Sequence, residues 1–82
     1  MTTAFVLINC ESGSETELVR KLSKTNEIKE IQSTIGSYDM LVKVVSPTVY
    51  DLRKIITERI INQEKVRGTQ VLIRTHQTSE LR

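Results

Sequence analysis

Residues 36–45 read Gly-Ser-Tyr-Asp-Met-Leu-Val-Lys-Val-Val, a short polar segment that leads directly into a nearly continuous apolar stretch. The apolar residues 40–45 predict a strand that lies centrally in a sheet. Upstream, isoleucines stand at positions 28, 31 and 35 without strict alternation, so residues 28–35 predict a strand with a bulge or twist. Gly36-Ser37 is the expected turn between the two strands, because glycine permits the positive φ that tight hairpins need.

The N-terminal residues 3–10 are rich in β-branched and aromatic side chains and too few for a typical helix. They predict a buried strand. A helix is expected next, since Ser14 and Glu17 have the spacing of a capping box, in which each side chain satisfies a backbone N–H. The apolar stripe of this helix consists of Leu18, Val19 and Leu22. Thr25-Asn26 is the expected end of the helix.

The second half of the chain repeats the strand-helix-strand order. Ser46-Pro47 predicts a helix start, because Ser46 can cap the helix and Pro47 loses no hydrogen bond at the first helical position. The apolar stripe of this helix consists of Val49, Leu52, Ile56 and Ile60, with Ile55 beside them. Residues 62–65 are polar and end the helix, and residues 66–75 contain the last strand.

The order β-α-β-β-α-β predicts a ferredoxin-like α+β fold, in which two helices cover one face of a four-stranded antiparallel sheet. We expect one domain over residues 1–76 and a polar C-terminal tail over residues 77–82. Phe5, Leu7 and Leu41 indicate that the other face of the sheet is also apolar. An apolar face needs a cover, so the sequence predicts a homodimer formed through the open sheet face.

Composition supports association and restricts the function. Of the 82 residues, 38% are hydrophobic and only 4% aromatic, so the core is thin for a domain that would stand alone. The single cysteine, Cys10, excludes an intrachain disulfide and a metal site built around several thiolates.

The formal charge of +2 gives little attraction to nucleic acid or membrane, and we expect neither to be bound directly. The apolar runs are too short for a membrane span. We therefore expect a cytoplasmic protein without a cofactor.

Tyr38 and Asp39 are the residues whose chemistry suggests a binding site. A carboxylate beside free backbone donors and acceptors can recognise an α-amino acid, with the carboxylate holding the ligand's amino group. The alternative is an ordinary hairpin turn that contains an aspartate. Other sites are less supported: His76 is the only histidine and stands near the chain end, and the sheet lacks the paired aromatic side chains that stack RNA bases.

The stretch from Ile35 to Val44 resembles the Gly-x-Tyr/Phe-Asp-apolar signature of the effector domain of the Lrp/AsnC regulators, also called the RAM domain. The resemblance extends over nearly the whole chain and implies a stand-alone form that lacks the helix-turn-helix of those regulators. It implies an effector site, with an amino acid as the expected ligand, at an interface between dimers. By position, the first part of the site would be Gly36, Ser37, Tyr38 and Asp39, and the second Arg67, Gly68, Thr69 and Gln70.

Two positions depart from the family pattern. Glu64-Lys65 precedes Val66 where the family often has Pro-Gly, and Val71 stands where a threonine often opens the last strand. The loss of that hydroxyl is expected either to change the ligand or to abolish its binding.

These observations predict a ligand-binding and oligomerisation domain that modulates transcription and is not an enzyme. We expect homodimers that associate further, with an octamer-like ring as one arrangement, and mixed assembly with full-length Lrp/AsnC regulators as one route to regulation. Two alternatives stay open. One is a small dimeric α+β barrel enzyme, which would need convergent catalytic groups in a cavity. The other is a purely structural oligomerisation module.

Overall fold

The computed structural model describes residues 1–74, so the predicted tail, His76 and the end of the last strand at residue 75 lie outside the described residues. The elements follow the predicted order. They are β1 Thr2–Cys10, α1 Glu15–Leu22, β2 Ile28–Ser33, β3 Met40–Ser46, α2 Val49–Ile55 with a π-helical extension Ile56–Ile61, and β4 Val66–Arg74. No helix within residues 1–74 is long and apolar enough to cross a membrane.

The four strands form one sheet in the order β2-β3-β1-β4, with every neighbouring pair antiparallel. The prediction that residues 40–45 lie centrally is confirmed, because β3 lies between β2 and β1. In the register of β1 and β3, Val6 is opposite Val42 and Ile8 is opposite Met40. Directly opposed residues share a face of the sheet, so these side chains form one continuous layer.

Both helices cover that layer, and the core lies between them and the sheet. Along β3 buried and half-buried residues alternate strictly, which shows that one face meets the helices and the other does not. The buried apolar residues are Ala4, Val6, Ile8, Leu18, Leu22, Met40, Val42, Val44, Leu52, Ile56 and Ile60. Each large member contributes about 1.5–3 kcal/mol through removal from water.

The second helix departs from regular α geometry after Ile55. Its buried residues Leu52, Ile56 and Ile60 recur every fourth position, a spacing that keeps them on one face of a helix. The π-helical extension Ile56–Ile61 continues this buried face, with Ile56 and Ile60 in the core. Val49, predicted to belong to the stripe, is instead 41% exposed.

Ser14 occupies the predicted N-cap position of α1 without the predicted capping bond, and the predicted cap at Ser46 is wrong. Ser14 stands at the start of α1, but its hydroxyl makes no cap to the helix and donates to the carbonyl of Glu11. Ser46 is the buried last residue of β3, and α2 begins only at Val49. Thr48 caps α2 instead, with its hydroxyl accepting from the amide of Asp51 at 3.1 Å.

Element ends differ from prediction by a few residues, and the predicted bulge is confirmed. The helix α1 ends at Leu22, before Thr25-Asn26, and β2 ends at Ser33. The register of β2 against β3 shifts between Ile28 and Glu30, which explains why the isoleucines of this segment do not alternate strictly.

The open face of the sheet carries an apolar centre, as predicted. Phe5, Leu7 and Leu41 are half-buried there, and Leu72 on β4 is 50% exposed. Polar residues of β2 and the ends of β4 surround them.

Candidate functional site

The segment of residues 34–39 joins β2 to β3 and is longer than the tight hairpin that was predicted. Its conformation depends on Gly36, whose φ is +133°, a region that residues with a side chain rarely adopt. No atom lies within 4 Å of the place where a Cβ would be, so the backbone alone requires glycine here. Ile35, beside it, is 105% exposed, so the segment projects an apolar side chain into solvent.

Asp39 is fixed at the end of this segment by three hydrogen bonds. Its amide donates to the carbonyl of Ile8 at 2.8 Å, and its carbonyl accepts from the amide of Thr34 at 3.0 Å. Its Oδ2 accepts from the amide of Cys10 at 2.9 Å. The carboxylate therefore lies at the C-terminal end of β1 and satisfies a backbone donor there, which sequence reasoning did not reveal.

The preceding loop residues are held less firmly. The hydroxyl of Thr34 donates to the carbonyl of Tyr38 at 2.6 Å, which closes the segment on itself. Tyr38 is half-buried, whereas Gly36 and Ser37 are exposed. Exposed backbone next to a fixed carboxylate leaves donors and acceptors accessible to a ligand or a second protein chain.

The second predicted segment lies on the other side of β1, because β1 is between β3 and β4. Gly68 is opposite Asn9, and the register shifts at the next step, so that Arg67 is the extra residue of a bulge. Thr69 is opposite the buried Ile8 and faces the helices, whereas Gln70 is opposite Leu7 and faces the open side. The two segments thus meet at one end of the sheet, but their side chains do not all converge.

Arg67 is anchored by the residue that follows β1. Its Nη2 lies 2.5 Å from Oε2 of Glu11, and Nζ of Lys65 lies 3.6 Å from Oε1 of the same carboxylate. These groups are largely exposed, and pairs of this kind contribute about 0–1 kcal/mol. Sequence reasoning missed Glu11 because its partners are recognisable only once β4 is known to lie beside β1.

Cys10 is a further titratable group at this end of the sheet. Burial raises the pKa of its thiol, and the negative charges of Glu15 and Asp39 act in the same direction, against a hydrogen bond with Ser14. The thiol is therefore protonated at neutral pH and a poor nucleophile, because the thiolate is the reactive form.

Val71, where the resemblance calls for threonine, faces the helices opposite Val6. It lines an open groove of about 300 Å³ between β4 and the π-helical extension, together with Ile56, Ile61 and Ile73. A polar pocket of about 360 Å³ lies between the end of α1 and the same extension. The eight predicted site residues line neither, so the candidate site is a surface at the sheet end.

Comparison with known proteins identifies the family. Residues 3–82 match the model of the Lrp/AsnC ligand binding domain. The HTH-type transcriptional regulator FL11 of Pyrococcus furiosus is 36% identical over 70 residues, which cover 85% of this chain and 46% of the regulator. The chain thus spans about half the length of this relative.

Two solved structures match over nearly their whole length. The structure of the hypothetical protein PHS023 from Pyrococcus horikoshii has a TM-score of 0.87 and 36% identity, and the match covers 94% of this chain and 93% of that one. The structure of TTHA0845 from Thermus thermophilus has a TM-score of 0.89 and 28% identity, with 98% and 100% covered. The chain belongs to the family of the Lrp/AsnC ligand-binding domain, which is found in transcription regulators.

Proposed function

We propose that this domain binds a small effector, an amino acid by the chemistry of the site, at the end of the sheet where Asp39 lies. The observation that carries the proposal is the position of Asp39: its carboxylate is held beside the end of β1 by the amide of Cys10 through Oδ2. Within residues 1–74 no basic side chain forms an ion pair with this carboxylate, so its charge is available to an ammonium group. An ammonium-carboxylate bond of this kind is charge-assisted and directional.

The carboxylate of such a ligand requires donors, and the neighbouring exposed backbone can provide them. Gly36 and Ser37 are exposed on one side of Asp39, and Arg67 with Gly68 lies across β1 on the other. Thr69 and Gln70 extend the second segment. Because the site forms an open surface, we infer that a second copy of the chain completes it, with Ile35 as an apolar contact.

We further propose that residues 1–76 form one cytoplasmic unit that dimerises through its open sheet face and associates into larger rings. It would modulate transcription by assembling with full-length family members, since the regulator FL11 contains a region similar to this chain within a longer protein. The half-buried apolar side chains on the open face, together with the exposed Leu72, support the dimer, because a partner would remove them from water.

Titration calorimetry of the protein with each of the twenty amino acids tests the ligand proposal. We expect one or a few to bind, and no binding by any at millimolar concentration would contradict it. Two substitutions of Asp39 separate its roles. Asp39→Asn keeps an oxygen that accepts from the amide of Cys10 but removes the charge, so it should abolish binding with little loss of stability.

Asp39→Ala removes both the charge and the acceptor. We expect it to abolish binding and also to lower the free energy of unfolding by about 1–3 kcal/mol, because the amide of Cys10 loses its partner. If the asparagine variant bound the amino acid as tightly as the native protein, the carboxylate would not be the ammonium acceptor. Native mass spectrometry with a full-length regulator tests mixed assembly, and separate populations of the two proteins would contradict it.

A further inference from the structure

The pocket between the end of α1 and the π-helical extension has a volume of about 360 Å³. Ligand pockets in proteins usually measure about 300–1,000 Å³, so it has room for a small molecule. Seven polar or charged side chains of the described residues line it, and none of these is apolar or aromatic. Such a lining suits neither an apolar amino acid nor a nucleobase, which would need a ring to stack on. The pocket is therefore suited to a small and highly polar ligand.

Three of the lining side chains are cations that come from separate parts of the chain. Lys21 belongs to α1, Lys24 follows that helix, and Arg59 belongs to the π-helical extension. Nζ of Lys21 lies 3.2 Å from Oε2 of Glu17, which offsets part of its charge. Lys24 and Arg59 form no ion pair within residues 1–74. Because a cleft lined by one sign of charge concentrates ions of the opposite sign, the pocket favours an anionic ligand.

The hydrogen bonds at the helix ends do not require these cations. Basic side chains often occur in the last turn of a helix, where they interact with carbonyl groups that lack partners. In α1, however, the carbonyls of Val19, Lys21 and Leu22 already accept from backbone amides of the residues that follow. In the extension, the carbonyls of Thr57 and Ile60 likewise accept from backbone amides. The meeting of cations from two helices at one pocket is therefore not explained by capping.

The other lining groups provide acceptors. Glu27 is half-buried and forms no ion pair within residues 1–74, although three cations line the same pocket. Nε2 of Gln63 donates to the carbonyl of Arg59 at 3.1 Å, which leaves the amide oxygen of Gln63 as an acceptor. Thr25 and Asn26 can both donate and accept. Hydroxyl groups are suitable partners for this part of the pocket, because they donate without adding charge.

The pocket is distinct from the proposed effector site. The carbonyl of Glu27 accepts from the amide of Val45 at 2.9 Å near the end of β3, whereas Asp39 directly precedes the start of that strand. A strand rises about 3.3 Å per residue, so the two ends of this segment are about 20 Å apart. None of the residues proposed to hold the amino acid lines the pocket. A ligand in the pocket would therefore leave the effector site open.

We propose that this pocket binds a small phosphate ester that carries hydroxyl groups, which is the chemistry of a sugar phosphate. Lys24 and Arg59, with the partly neutralised Lys21, hold the phosphate, because charge-assisted hydrogen bonds are stronger than those between neutral groups. Glu27 and the amide oxygen of Gln63 accept from the hydroxyl groups. The inference goes beyond the proposed amino-acid site and does not depend on it.

Titration calorimetry of the native protein at constant ionic strength tests the ligand class with three probes. These are glucose 6-phosphate, inorganic phosphate and glucose, of which only the first carries both the phosphate and the hydroxyl groups. We expect glucose 6-phosphate to bind with a dissociation constant of about 1 mM or lower and inorganic phosphate to bind about tenfold more weakly. Glucose should not bind, because it lacks the charge that the cations attract.

Matched substitutions separate the pocket from the overall positive charge of the protein. Lys24→Gln and Arg59→Gln each remove one cation from the pocket, whereas Lys54→Gln and Arg53→Gln remove the same residue types from other grooves of the surface. We expect each of the first pair to weaken the binding of glucose 6-phosphate about tenfold, and each of the second pair to weaken it less than about twofold. All four positions are exposed, so the fold should persist, which circular dichroism verifies.

Three results would overturn the inference. The absence of glucose 6-phosphate binding at about 10 mM would show that the pocket is no phosphate site. Equal weakening by the two pairs of variants would show attraction to the net charge alone. Inorganic phosphate that bound as tightly as the ester would show that the hydroxyl groups are not recognised. Binding of an amino acid, or its absence, changes none of these outcomes.

Discussion

Replacing Gly36 with alanine tests whether the backbone conformation of the segment before Asp39 requires glycine. The φ of +133° is one that an L-residue rarely adopts, and no atom lies within 4 Å of the new Cβ. The cost is therefore strain in the backbone and involves no steric overlap with a neighbour. Strain of this kind amounts to about 1–3 kcal/mol per residue, which is a large share of the stability of a small domain.

Gly68 provides the matched control. It too has open space around its missing Cβ, but its φ lies outside the left-handed region, so Gly68→Ala should be neutral or stabilise by up to about 1 kcal/mol. Urea denaturation at equal protein concentration measures both, since association would otherwise change the apparent stability. Equal midpoints for the native protein and Gly36→Ala would refute the strain argument.

Two further predictions concern the cap and the thiol. Thr48→Ala should lower the free energy of unfolding by about 0.5–2 kcal/mol, because the amide of Asp51 loses its cap. Ser46→Ala should be neutral or stabilising, because the buried hydroxyl of Ser46 has no partner among the described residues. Chemical denaturation measures both variants, and a greater loss of stability in Ser46→Ala than in Thr48→Ala would contradict the assignment of the cap. The raised pKa of Cys10 predicts alkylation that reaches its half-maximal rate at a higher pH than that of a free thiol, a shift that Asp39→Asn should reduce. By linkage, this group's contribution to stability is complete at neutral pH and is lost as the pH rises through the titration range of the thiol. A pH profile identical to that of free cysteine would show that the thiol is not desolvated.

The elements with clear local patterns could be predicted from the sequence. The apolar run of β3 and its central position, the bulge in β2 and the stripe of α1 all followed from residue types and spacing. The choice between Ser46 and Thr48 as a cap did not, because it depends on where β3 ends. That end is set by pairing with Thr2, 44 residues away, whose hydroxyl donates to the carbonyl of Ser46.

In the candidate site, too, local features could be predicted from the sequence and long-range contacts could not. The sequence predicted a carboxylate, that of Asp39, directly before the third strand, and in the structure Asp39 directly precedes β3. That its oxygen accepts from the amide of Cys10 could not be predicted, since the contact joins residues 29 positions apart. The anchoring of Arg67 by Glu11 across 56 positions was hidden for the same reason.

The strand β3 connects the proposed effector site with the proposed dimer interface. It begins directly after Asp39, and its second residue, Leu41, lies on the open face where a second copy would dock. If an effector held by Asp39 shifts the position of this strand, it alters the association of the copies, and thermodynamic reciprocity requires association to alter the affinity for the effector by the same factor. The affinity for the effector would then depend on the concentration of the protein as well as on that of the ligand. Both dependences would act through the same few residues of β3.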